Sequence, residues 1–176
     1  MRWLWLDRIV ELEKGRRCVA MRNVSAAEDV LHDHFPADAE AGHGPLPVMP
    51  HPLVIEGMAQ TAGILVGHAE DFKQKVILAK IGKAVFTGRA ATPGTTLRHT
   101  AEITNLDASG AATVGRVELL DPLTGEAELF AQIELMFSHI DQNRKGLAFP
   151  EHNFVFTDDF LDLLARSGFP MEPSVS

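Results

Sequence analysis

Two residues in this chain have side chains suited to moving protons, and their settings differ. His34 lies in a loop dense in proline and glycine. Glu56 lies in an apolar run, Leu53-Val54-Ile55-Glu56-Gly57-Met58-Ala59-Gln60. An imidazole titrates near neutral pH and serves as a general base. A carboxyl in apolar surroundings keeps its proton and serves as an acid. Environments that push two titratable groups apart are what divide such roles. Gln60 follows Glu56 by four residues, so amide and carboxyl share one helix face. Taken singly, a loop histidine is usually solvated and a helical glutamate usually lies on the surface.

The elements that must hold these groups are readable from periodicity. Residues 52–69 are apolar around most of the helical circumference, with Pro52 in the first turn, which predicts a buried helix. Burying Glu56 and Gln60 on it requires partners for both. Residues 25–51 carry Pro36, Pro45, Pro47 and Pro50 with Gly42 and Gly44, which predicts a long functional loop. Upstream, residues 3–13 read as a strand or extended segment and 16–24 as a second strand, with a turn at Gly15. Downstream, strands are expected at 76–86, 95–106, 111–120 and 126–139, separated by turn signals such as Thr92-Pro93-Gly94 and Ala108-Ser109-Gly110. One buried helix and an antiparallel meander make an α+β fold.

The last segment is different in kind. Residues 141–153 read as linker, and Thr157 is placed to cap a short helix from Asp158 to Arg166. Phe160, Leu161 and Leu164 would be its apolar face, docked on the chain's own domain. The expected division is a domain over 1–140 and a C-terminal extension over 141–176.

The chain has 176 residues and a net charge of −8, a balance that argues against nucleic acid as a partner. Its single cysteine, Cys18, sits in a strand-like run and reads as a packed, inert thiol. The N-terminus turns charged too early for a signal peptide, and the longest apolar stretch is too interrupted for a membrane span. A cytoplasmic protein is expected. His32, His43, His68, His99, His139 and His152 have no metal-ligand spacing, so no metal site is expected.

His34-Phe35-Pro36, then Met49-Pro50, then the helix carrying Glu56-Gly57-Met58-Ala59-Gln60, resembles the signature of the FabZ/FabA 3-hydroxyacyl-acyl-carrier-protein dehydratases. The resemblance runs over about residues 3–139. It includes Asp7-Arg8-Ile9, Arg22-Asn23-Val24, Lys83-Ala84-Val85-Phe86, Pro93-Gly94 and Glu126-Ala127-Glu128-Leu129 in the family's order. Three departures stand out: His51 occupies the family's glycine position, Ala37 to Val48 lengthens the loop beside the site, and Asp33 precedes His34 where the family usually has glycine.

The resemblance implies a hotdog fold, in which a curved antiparallel sheet wraps one long helix. It implies a homodimer, or a trimer of dimers, with His34 of one chain opposite Glu56 of the other. His34 would take the C2 proton of a 3-hydroxyacyl thioester and Glu56 would protonate the departing hydroxyl. The backbone N–H of His51 would polarise the thioester carbonyl. Gln60 would hold the carboxyl or its water, and Phe35 and Pro50 would lie against the substrate. No cofactor is needed.

From Phe72 to Ala101 the chain carries Lys73, Lys75, Lys80, Lys83, Arg89 and Arg98 and no acid. Lys80, Lys83, Arg89 and Arg98 are therefore candidates for docking an acidic acyl carrier protein, or the phosphates of coenzyme A. Two rival functions remain at this level. One is a hotdog acyl-thioesterase using the helix acid to activate water, which has no need of the His34-Phe35-Pro36 base. The other is a non-enzymatic relative that binds acyl chains or a partner.

Overall fold

The computed structural model describes residues 3–40, 42, 44–140 and 155–170. The expected linker at 141–153 lies wholly outside them. Six strands form one antiparallel sheet: β1 (Arg8–Glu13), β2 (Arg17–Asn23), β3 (Lys75–Phe86), β4 (Thr96–Asp107), β5 (Gly110–Leu120) and β6 (Ala127–Ile140). Their order across the sheet is β1-β2-β4-β5-β6-β3, so β1 and β3 are its edges. Three helices complete the chain: α1 (Asp29–Asp33), α2 (His51–Ala69) and α3 (Asp158–Arg166).

The 19-residue α2 is about 28 Å long and lies on the inward face of the sheet. Alternation along the strands explains why that face accepts it. Leu97, His99 and Ala101 of β4 point inward, opposite Val117 and Gly115 of β5. Close approach then depends on small residues. A Cβ on Gly115 would strike the Met58 side chain, and one on Gly57 would lie 2.8 Å from Nε2 of His99. Thr61 lies inside this interface and donates its hydroxyl to the Gly57 carbonyl at 2.8 Å, which keeps a buried polar atom paired.

Each of the four downstream strands begins and ends within one residue of its expected position. Cys18 is fully buried, and that burial pushes its thiol up to about 12, so it is chemically inert. Three features differ from expectation. The long loop contains α1, which its proline content hid. Five residues are too few to show a helical period, and α1 is set by burial of Leu31 and by Glu28, which accepts from the Ser25 N–H at 3.0 Å and from Arg22 at 2.5 Å. Thr157 does stand at the N-cap of α3, but its side chain makes no cap bond. Its carbonyl accepts from the Phe160 and Leu161 N–H groups instead.

The third difference is the packing of α3. Leu163 and Leu164 are fully buried, whereas Leu161 stays exposed. The helix docks on β1, and Ser167 just beyond it accepts a 3.0 Å bond from the Ile9 N–H. Phe156, ahead of the helix, enters the core where Gly67 leaves room. A Cβ there would run into its ring and into Phe72.

Candidate active site

Glu56 and Gln60 do share one face of α2, and the chain's N-terminal segment is laced to them. Gln60 is buried, and both ends of its amide are used. Its Oε1 accepts from the Trp5 N–H at 2.8 Å, and its Nε2 donates to the Trp3 carbonyl at 3.2 Å and to Glu56 Oε1 at 2.9 Å. The indole Nε1 of Trp3 donates to the same carboxylate oxygen at 3.1 Å. Two donors on Oε1 fix the carboxyl plane, while Oε2 has no donor among the described residues and is the oxygen available for proton exchange. Glu56 itself is half-buried in one chain, where the sequence pattern predicts full burial.

Trp5 is held in turn by Arg22, whose guanidinium lies 5.3 Å from the indole centroid, a cation–π contact. Arg22 also pairs with Asp7 at 3.1 Å and with Glu28. The support for the acid thus runs from Glu56 through Gln60 and Trp5 to an ion-paired arginine at the base of α1. Neither Trp3 nor Trp5 is singled out by sequence, because nothing local marks a residue that acts across more than fifty positions.

His34 is placed otherwise. It is the C-cap residue of α1, exposed, with its ring edge-on to Phe35 at 4.5 Å between centroids. Phe35 is itself exposed, and its carbonyl accepts from the Leu46 N–H at 3.0 Å, which closes the lengthened loop on itself. Among the described residues of one chain, His34 and Glu56 share no hydrogen bond. The loop's far end is anchored at Met49, buried, whose N–H reaches the Ala91 carbonyl at 2.8 Å. Pro50 follows as the buried N-cap of α2.

His51 opens α2, where first-turn N–H groups have no acceptor within the helix and carry the positive end of its dipole. Its exposed ring stacks on Phe86, 3.8 Å between centroids and 5° between planes, with Phe130 edge-on at 5.9 Å. The aromatic pair takes up the bulk that a glycine would not have.

From Glu56 an apolar cavity of about 210 Å³ runs along α2 past Ala59, Gly63 and Ile64 and beside Phe137. Of the docking candidates, Lys80 and Lys83 stand exposed on the edge strand β3. Arg89 pairs with Glu128 at 2.8 Å, and Arg98 with Glu118 at 2.9 Å. No group of three His, Cys, Asp or Glu side chains suited to a metal occurs among the described residues.

One buried titratable group was also missed. His99 is fully enclosed beneath Gly57, and neither ring nitrogen has a hydrogen bond of good geometry. Burial lowers its pKa to about 4, aided by the nearby positive charge of Arg22 and opposed by the neighbouring Val54 carbonyl. It is neutral at physiological pH. Its signal in the sequence was only its inward parity on β4.

A sheet wrapped on one long helix, with a held carboxyl on that helix facing an apolar cavity, defines an α+β hotdog protein. The FabA-like domain model matches residues 1–120. The 3-hydroxyacyl-(acyl-carrier-protein) dehydratase FabZ of Desulforamulus reducens is 36% identical over 132 residues, covering 74% of this chain and 87% of the relative. That of Listeria monocytogenes serovar 1/2a is 34% identical over 140 residues, covering 79% and 87%.

Among solved structures, the dehydratase heterocomplex ApeI:P of Xenorhabdus doucetiae superposes with a TM-score of 0.56 at 16% identity, covering 78% of this chain and 84% of that one. The acyl-CoA hydrolase of Staphylococcus aureus in complex with butyryl coenzyme A gives 0.55 at 16%, covering 86% and 84%. At such identities the structures establish the fold alone. The sequence relatives go further: the chain belongs to the FabZ/FabA dehydratase family.

Proposed function

We propose that this protein dehydrates 3-hydroxyacyl thioesters to trans-2-enoyl thioesters in fatty-acid or related lipid biosynthesis, with His34 of one copy and Glu56 of a second acting on one substrate. The observation that carries this reading is the carboxyl of Glu56, fixed through one oxygen by Gln60 and Trp3 at the mouth of an apolar cavity.

His34 takes the C2 proton of the thioester. The electron pair left behind forms the C2–C3 double bond. The C3–O bond breaks, and Glu56 protonates the departing hydroxyl, so that one water leaves. The His51 N–H, aided by the helix dipole, stabilises the negative charge that builds on the thioester oxygen. Phe35 and Pro50 flank the reacting end. No cofactor takes part.

The substrate arrives on an acyl carrier protein, the carrier in the family's name, or on coenzyme A. Lys80 and Lys83 form the docking rim, and Arg89 and Arg98 contribute once released from their acidic partners. The protein acts as a homodimer, alone or as a trimer of dimers, a reading that β3 supports. This twelve-residue edge strand leaves one ladder of backbone groups open to a second copy. No helix among the described residues is long and apolar enough to cross a membrane, in keeping with action on carrier-bound substrate in the cytoplasm.

The test is hydration of crotonyl thioester, followed by loss of enoyl-thioester absorbance. Wild type should turn over, and His34→Ala and Glu56→Ala should each lose about 10²- to 10⁴-fold in kcat. A folded wild type inactive with both carriers would overturn the reading.

A further inference from the structure

The cavity that starts at Glu56 has a far end, and the C-terminal segment builds it. Glu56 and Gln60 line one side of the opening; beyond Gly63 the lining passes to Val155, Phe156 and Phe160. Phe156 is buried and locked against Phe72, their rings edge-to-face with centroids 4.8 Å apart. It fills the space over Gly67, so the cavity cannot continue along α2 beyond that residue. Phe160 is half-buried, edge-on to Phe156 at 6.4 Å. The segment is held in place by the buried Leu163 and Leu164 and by the Ser167 bond to Ile9.

We infer that Phe156 and Phe160 are the end wall of the acyl-binding cavity and set the longest acyl chain the enzyme accepts. The inference rests on the dehydratase reading for the identity of the occupant. An apolar cavity that begins at the acid of the reaction is placed to take the part of the substrate beyond the reacting carbons. Seven residues of helix separate Glu56 from Gly63, about 10 Å at 1.5 Å per residue, which counted from C3 sets the limit at about ten carbons, a medium-length chain. The wall lies outside residues 1–120, the part that matches the FabA-like domain. Chain-length choice is therefore carried by a segment the family match does not include.

The experiment is a series of 3-hydroxyacyl thioesters of four, eight, twelve and sixteen carbons, offered to wild type, Phe160→Ala and Phe160→Trp. In wild type kcat/KM should hold through eight carbons and fall by at least about tenfold at twelve, the scale on which an apolar pocket discriminates chain length. Phe160→Ala should raise kcat/KM for the twelve-carbon substrate by about tenfold or more relative to that for the four-carbon substrate. Phe160→Trp should pull the limit below eight. If Phe160→Ala fails to fold, Phe160→Leu replaces it.

Equal turnover of all four lengths by wild type, or a limit that stays fixed in folded variants, overturns the inference. Affinity for saturated acyl thioesters, measured by calorimetry, separates it from the reaction. If wild type does not turn over, a length limit in binding that moves with Phe160 upholds the wall while the dehydratase reading falls. Binding without a length limit overturns the wall as well.

Discussion

The acid and the base of the proposed pair are prepared to different degrees. Glu56 stands on a long helix, with Trp3 and Gln60 on one oxygen and an ion-paired Arg22 behind Trp5. His34 caps a five-residue helix, exposed, with a ring contact to its own neighbour. One chain folding alone pays the ordering cost of the acid and leaves the base to be fixed by whatever covers it. In the proposed dimer, preorganisation is shared between folding and assembly, and the second copy has more to supply at His34 than at Glu56.

The sharpest way to break this comparison is through activity and stability together. His34→Ala should abolish turnover, by about 10²-fold or more, yet leave Tm unchanged, because an exposed side chain contributes within about 0.5 kcal/mol. Thermal unfolding alongside the crotonyl assay checks both. A His34 variant that also melts early would mean the base is already built into the folded chain.

The next largest effect is acid sensitivity at the floor of the acid's helix. His99 has a folded pKa of about 4 against 6.5 as an ordinary histidine. Between those values the unfolded chain binds more protons, so stability rises with pH there. Its contribution is intact above about pH 6.5 and is lost as pH falls toward 4, by roughly 3 kcal/mol at most. Urea unfolding from pH 7 to 4 measures it, and His99→Leu should flatten that part of the profile.

Gly57→Ala comes third. It sets a Cβ against the His99 ring and should cost about 1–3 kcal/mol by overpacking. Combining it with His99→Ala should recover much of the loss, since the two share one contact. Smallest is Trp3→Phe, which keeps an aromatic ring, though a smaller one, and removes the N–H on Glu56. Tm should stay within about 0.5 kcal/mol of wild type, while kcat should fall by several-fold with KM little changed, a split that a merely structural tryptophan would not give.

The comparison also explains what could be read from sequence. Turn signals and alternation located β3 to β6 because both are local properties of the chain. The Glu56 and Gln60 stripe was legible for the same reason, since their spacing of four is itself the geometry. Trp3, Trp5 and Phe156 were not, because their importance lies in contacts made across the fold, and an aromatic residue near a terminus has no period to reveal it; Phe160 was legible only as part of an apolar helix face. Short α1 was hidden by its five-residue length and by the prolines that follow it in the loop, and His99 by its lone position on a strand. The half-burial of Glu56 marks the remaining gap: an apolar run says that a helix face is covered but not whether the cover comes from the same chain.

The two margins of the sheet have opposite fates. At β1 the strand is six residues long, kinked between Ile9 and Glu11, with its Ile9 N–H already taken by Ser167 from beyond α3. At β3, a strand of twelve residues forms the opposite edge, with no further strand beyond it among the described residues. The short C-terminal helix thus guards one margin, and the strand-to-strand pairing proposed for a second copy has the β3 margin to use.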